Sequence, residues 1–118
     1  MAFEYNIDQL ESFEQKLLAQ DYLDSSFTVV DGDKPLIISC PHSVSQTRGD
    51  RIKLAETRTA IFGCILNLEL DVPLIFKTKN CKDDANFDLV CKYKDTLVGY
   101  INEHNIKCCV DLHIMKPN

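Results

Sequence analysis

No apolar run in this 118-residue chain approaches the ~20 residues that a bilayer-spanning helix requires, so the sequence predicts no membrane association. The N-terminus, Met-Ala-Phe-Glu-Tyr-Asn-Ile-Asp, has no basic start and no apolar core, and so lacks the marks of a secretory signal. A cytoplasmic location is the expectation. Basic charge is in deficit: 13 Lys and Arg stand against 18 Asp and Glu, a net charge of -5. Nucleic-acid binders carry a basic surplus, so nucleic acid is not expected as a partner. No two of the six cysteines (Cys40, Cys64, Cys81, Cys91, Cys108 and Cys109) have Cys-x-x-Cys spacing. A disulfide framework needs a secreted context, which is also missing. Cys64 and Cys91 fall on apolar helical faces, where a free thiol packs as a small hydrophobe, so reduced cysteines are expected. There are no repeats, linkers or low-complexity segments, and residues 1–118 read as one domain.

What is present is an ordinary globular balance of 45% hydrophobic and 26% charged residues. Asp8 can cap a helix whose stripe is Leu10, Phe13, Leu17 and Leu18. Residues 27–30 and 35–40 read as strands. Asp31-Gly32-Asp33-Lys34 between them predicts a hairpin turn with a left-handed glycine. Residues 41–55 read as a long loop with its tip at Gly49-Asp50. Helical stripes follow at residues 56–70 and 85–104, with Asn105 as a stop signal. Apolar runs at residues 73–76 and 106–112 supply two more strands. The order α-β-β-α-β-α-β predicts an α/β fold: a mostly parallel sheet with right-handed crossovers and an N-terminal antiparallel hairpin. The last strand is a continuous apolar run, the kind expected to be covered on both faces. It lies close to Asn118, so the expectation is an incomplete sheet, part of a larger fold, with an exposed edge open to homo-oligomerisation.

The chain has three histidines. His104 ends the long helical pattern, where an imidazolium favours the negative dipole end, and a structural role is expected. His42 and His113 each follow an apolar strand. If those strands are parallel neighbours, both side chains reach the carboxyl-end crevice, where ligands bind in open α/β sheets. Glu56 between them opens a helical segment; it is either a dipole partner or a third ligand of a His-Glu-His zinc site. Asp111 shares a strand face with His113 and could orient a ligating imidazole; capping a neighbouring loop is the alternative. Asp83 and Asp84 read as helix caps, and Asn86 could instead reach a substrate in the crevice. Arg48, Arg51, Lys53 and Arg58, with Lys77, Lys79 and Lys82, form basic clusters facing one sheet edge. They are either a solvated surface or a field that draws in an anion. Cys40 with His113 as its base is a weaker pairing, because Pro41 restricts Cys40 and no third orienting group is evident. Cys108 and Cys109 point to opposite strand faces, which disfavours a redox pair.

Ile-Ser-Cys-Pro-His42-Ser, Gln-Thr-Arg, Lys-Leu-Ala-Glu56-Thr-Arg-Thr, Asp84-Ala-Asn86-Phe-Asp88 and Val-Asp111-Leu-His113 together resemble the N-formylglutamate amidohydrolase-like family over residues 35–118. These are zinc-dependent amide hydrolases related in fold to the zinc carboxypeptidases. The resemblance implies a phosphorylase/hydrolase-like fold and His42, Glu56 and His113 as ligands of zinc or another divalent metal. It also implies Asn86 at the substrate. Val44 stands where the family has Gly, and Ile114 where it has a small residue. Family members continue beyond the Asp-x-His segment, and the general base would come from that part.

The expected function is metal-dependent hydrolysis of the amide bond of a small anionic N-acylated acid. Arg48, Arg58 and Asn86 are the substrate candidates, and Asp111 is the residue expected to orient a ligand. A non-catalytic metal-binding or protein-interaction remnant is the alternative, and a plain domain without a site is the third reading.

Overall fold

The computed structural model describes residues 6–115. The expectations resting on residues 1–5 and 116–118 lie outside the described residues. Among the described residues there are three helices and six strands, in the order α1 (Ile7–Leu18), β1 (Phe27–Val30), β2 (Leu36–Cys40), β3 (Gln46–Arg48), β4 (Arg51–Lys53), α2 (Thr59–Leu70), β5 (Leu74–Lys77), α3 (Lys92–Glu103) and β6 (Cys108–Asp111). The fold is α/β, with a mixed, mostly parallel main sheet ordered β1-β5-β2-β6. β2 runs parallel to both β5 and β6, and β1 is an antiparallel edge.

β1 therefore pairs with β5, not with β2 across the 31–34 turn. The reason lies at Gly32. A Cβ there would sit 2.6 Å from Asp71 O, Pro73 N and Val72 C, so the segment packs its backbone against the entry to β5. Asp33 N–H donates to Asp71 O at 3.0 Å and holds it there. Glycine is needed for close approach, not for a left-handed turn. The antiparallel hairpin is instead β3–β4, inside the segment read as a loop. Its tip is at Gly49-Asp50 as expected, with Gly49 at φ 64°.

Side-chain alternation along β2 and β5 sends Ile38, Cys40, Leu74 and Phe76 to one face and Ile37 and Ile75 to the other. The first set packs with Leu17 of α1 and Ala60 of α2; the second packs with Tyr93 and Tyr100 of α3. Parallel strands covered on both faces read as near-continuous apolar runs, as residues 73–76 do and residues 36–40 do but for Ser39. Gly63 lets α2 sit close to the sheet. A Cβ there would meet Leu74 Cδ1 at 2.7 Å and Cys40 Sγ at 2.9 Å.

Several helix boundaries differ from expectation. α1 is capped by Asn6, whose side chain accepts from Gln9 N–H at 2.8 Å, and Asp8 lies in the first turn. α2 starts at Thr59, because Arg58 is left-handed at φ 75° and breaks the pattern. α3 starts only at Lys92, capped by Cys91. Residues 85–91 form turns, and Phe87, Leu89 and Val90 are exposed. Asn105 does stop α3, with φ 52°. β6 is not covered on both faces: it is an edge strand with one neighbour, and all four residues are exposed. Among the described residues, no helix is long and apolar enough to cross a membrane.

Candidate metal centre

β2 and β6 are parallel neighbours, with Ser39 opposite Asp111, so the chain leaves both strands at the same sheet edge. His42 follows β2 and His113 follows β6. Their rings lie 5.0 Å apart between centroids, at 68°. Glu56 is brought between them by the strap leading into α2. Its N–H donates to His42 O at 2.8 Å, and its C=O accepts from the Thr59 hydroxyl at 2.9 Å. Glu56 thus precedes α2, and the strap aims its carboxylate into the crevice. His42, Glu56 and His113 each offer a ligand atom, all within 4.8 Å of one another, a group able to hold a metal ion.

The Glu56 carboxylate bridges the two imidazoles. Oε2 faces His42 Nδ1. Oε1 faces His113 Nδ1 at 3.1 Å and accepts from Ile114 N–H at 2.7 Å. Burial pushes the Glu56 carboxyl up, but the Ile114 N–H, the His42 hydrogen bond and both histidines outweigh it and hold it below its usual range.

On its other side, His42 Nε2 meets Asp84 Oδ1 at 2.9 Å. Asp84 is fully buried. Burial pushes its carboxyl up, yet His42, Asn86 N–H and the Arg48 guanidinium keep it low and ionised. Arg48 Nε donates to Asp84 Oδ2 at 2.9 Å, and the guanidinium carbon lies 5.5 Å from the Phe87 ring centre. His42 therefore stands between two carboxylates. A neutral imidazole has one N–H donor, and ionised carboxylates only accept. With that proton on Nε2 toward Asp84, the Nδ1 lone pair confronts Glu56. A proton or a metal cation must lie between them.

Sequence reading took Asp84 for a helix cap, and it missed this role. No signal in the sequence marked it, because Phe87 and Val90 complete a helical stripe that makes Asp84 read as a cap. Asp111 makes no hydrogen bond to either histidine among the described residues. It lines a cleft of about 290 Å³ with Asn86, Ser39 and Tyr93. Asn86 Nδ2 is 3.2 Å from His113 Nε2, so Asn86 reaches the crevice and touches an imidazole. Its amide can present either nitrogen or oxygen to that ring. Arg58 is near the centre but engaged elsewhere, with Nε 3.5 Å from Glu14 Oε1. Lys77 is buried and paired with Asp83 at 2.9 Å. His104 caps α3 and stacks on Tyr100 at 3.9 Å, the structural role expected of it.

Cys40 is fully buried and its thiol donates to Thr59 O at 3.3 Å. Burial, with Cys64 and Asp111 adding to it, pushes the thiol far above its ordinary value of 9.0. It cannot serve as a nucleophile. All six cysteines are free.

Two clefts flank the centre and share Thr57 and Ile114 as walls. One, of about 530 Å³, lies between α2 and the segment after β6 and is walled by Phe62, Ile65, Leu66 and Leu112. The other, of about 720 Å³, lies against the β3–β4 hairpin and includes Gln46, Arg48, Arg51, Lys53 and Glu56. Compared with protein-family models, curated proteins and solved structures, the chain matches none.

Proposed function

We propose that the chain is a zinc-dependent amidohydrolase acting on a small anionic N-acylated acid. The observation that carries this reading is the convergence of His42, Glu56 and His113, whose ligand atoms all lie within 4.8 Å of one another, with Asp84 against the far side of the His42 ring. Two imidazoles and a carboxylate form the three-ligand set of catalytic zinc sites, which leave a fourth position for water or substrate. Donors in such a site stand ~3.3 Å apart, a tetrahedral consequence of bonds of ~2.0–2.1 Å. A spread within 4.8 Å needs only small side-chain movements to meet that. The residues present fit the ion.

Bound zinc would polarise a carbonyl and lower the pKa of a coordinated water toward ~7. The protein's own groups do the rest. Asp84 keeps His42 in one tautomer and one orientation. Asn86 fixes the His113 ring; with its amide oxygen turned to Nε2–H, it leaves Nδ1 free to ligate. Ile114 N–H holds one Glu56 oxygen, so the carboxylate cannot swing into solvent.

A second reading, a metal-binding module without turnover, is favoured by one observation. Among the described residues, no acid besides Glu56 and Asp84 contacts either histidine, so a separate general base is not in place.

Metal titration separates these readings from a plain domain. The metal-free protein should take up one zinc ion per chain with release of protons, since the hydrogen-bonded proton must leave. His42→Ala and His113→Ala should each abolish stoichiometric uptake. N-Acyl amino acids are then assayed with the loaded protein: release of the free amino acid supports the hydrolase, and tight zinc without release supports the module. Absence of zinc uptake by the folded protein would overturn both.

A further inference from the structure

We propose that the β3–β4 hairpin carries the carboxylate subsite of this centre, and that its ligand presents an N–H beside the carboxylate, as an N-acyl amino acid does. That the ligand is a substrate rests on the hydrolase reading; that an anion binds here does not. The register pairs Gln46 with Lys53 and Arg48 with Arg51. Alternation puts Gln46 and Arg48 on one face of β3, and their partners Lys53 and Arg51 on the same face of the ribbon. Three cations thus share one small surface, and two of them, Arg48 and Arg51, stand directly opposite each other. Like charges so placed repel, and a bound anion relieves the repulsion.

The acids nearby do not fill this need. Arg48 holds Asp84 through Nε alone, and that contact leaves its terminal nitrogens to the cleft. Arg51 and Lys53 are exposed and have no acidic partner among the described residues. Glu56, at the inner end of the same cleft, is committed to the two histidines and Ile114.

Gln46 supplies the second observation. It lines the cleft at 2% exposure, and its Oε1 is the buried side-chain oxygen or nitrogen left without a hydrogen-bond partner among the described residues. An unpartnered buried oxygen has given up its water without a replacement donor. A ligand N–H would satisfy it while the adjacent carboxylate meets the cations. The neighbouring 530 Å³ cleft has mostly apolar walls and a single cation, Arg58, which is paired with Glu14.

The test is a titration of the metal-free 15N-labelled protein with N-acetyl-L-glutamate at low salt. Amide shifts should concentrate in residues 46–53. Arg51→Ala/Lys53→Ala, altered only at exposed positions, should weaken binding at least tenfold. O-Acetyl-2-hydroxyglutarate, which keeps the carboxylates but lacks the N–H, should also bind at least tenfold more weakly. Shifts centred on Phe62 and Leu112, or equal affinity of the double variant, would overturn the subsite. Equal affinity of the ester would overturn the role of Gln46. Zinc uptake is measured separately on the same variant, and retained uptake shows that the variant is folded. Loss of zinc binding in the wild type would fail the hydrolase reading and leave this result readable.

Discussion

Asp84 decides more at the candidate centre than its position in the sequence suggests. It is a buried acid answered by an imidazole, a guanidinium and a backbone N–H. Asp84→Asn keeps the shape but can offer an N–H to His42 Nε2, which inverts the tautomer preference. Zinc affinity should fall roughly 10- to 100-fold, the usual effect of removing a partner behind a metal-ligating histidine. Competition with a chromogenic chelator measures it, and unchanged affinity in a folded variant would show that Asp84 serves packing alone. The thiols give a second residue-scale test. Burial raises Cys64 to about 11, and it raises Cys40 further. The folded protein thus holds these protons where the unfolded chain, at an ordinary thiol value, releases them. Their contribution to stability is complete below about pH 8.5 and declines as pH rises from there toward the raised folded values. Urea midpoints should fall across that window, with a smaller fall in Cys64→Ala. A midpoint independent of pH up to about 10.5 would contradict the burial argument.

Helices α2 and α3 each carry one glycine, and packing gives them opposite expectations. Replacing a helical glycine by alanine gains about 0.8–1 kcal/mol of propensity. At Gly99 of α3 nothing lies within 4 Å of the added Cβ, so Gly99→Ala should stabilise by nearly that amount. At Gly63 the methyl would meet a leucine methyl and the Cys40 sulfur inside contact distance. Overpacking costs about 1–3 kcal/mol, so Gly63→Ala should destabilise on balance. Urea unfolding of the two variants checks the pair; the same sign at both sites would refute the close packing of α2. The core strands β2 and β5 were legible in the sequence because buried strands write apolar runs, whereas the polar three-residue strands β3 and β4 write none. Which strand β1 pairs with was not, because that depends on the contact of Gly32 with the backbone of residues 71–73. The start of α3 was misplaced because Phe87 and Val90 fit a helical stripe while lying in exposed turns. The two histidines and Glu56 were legible because strand ends share one sheet edge. Gln46 and Asp84 were not, since a buried orphan oxygen and a buried ion pair exist only after folding.

On the scale of the whole molecule, two opposing forces meet at β6. This strand is an open edge, and its residues are exposed. Val110 is 37% exposed, and Phe62 and Ile114 nearby are 59% and 49% exposed. Unpaired strand backbone beside apolar side chains is a template for pairing with another chain. Two copies related by a two-fold axis would place their β6 strands antiparallel and join their sheets. Against this stands the net charge of -5, which makes copies repel. Salt distinguishes the two forces, because it screens repulsion between exposed charges and strengthens apolar burial only slightly. Self-association should therefore be weak at low ionic strength and increase as salt is raised. The opposite trend is expected of a contact held by ion pairs. Val110→Lys places a charge on the edge, a common device against pairing, and should return the protein to a monomer at the same salt. Sedimentation velocity at several concentrations and two salt levels reads all three outcomes. A wild-type monomer throughout would show that four exposed residues are too short an edge to overcome the repulsion, and that β6 needs no covering.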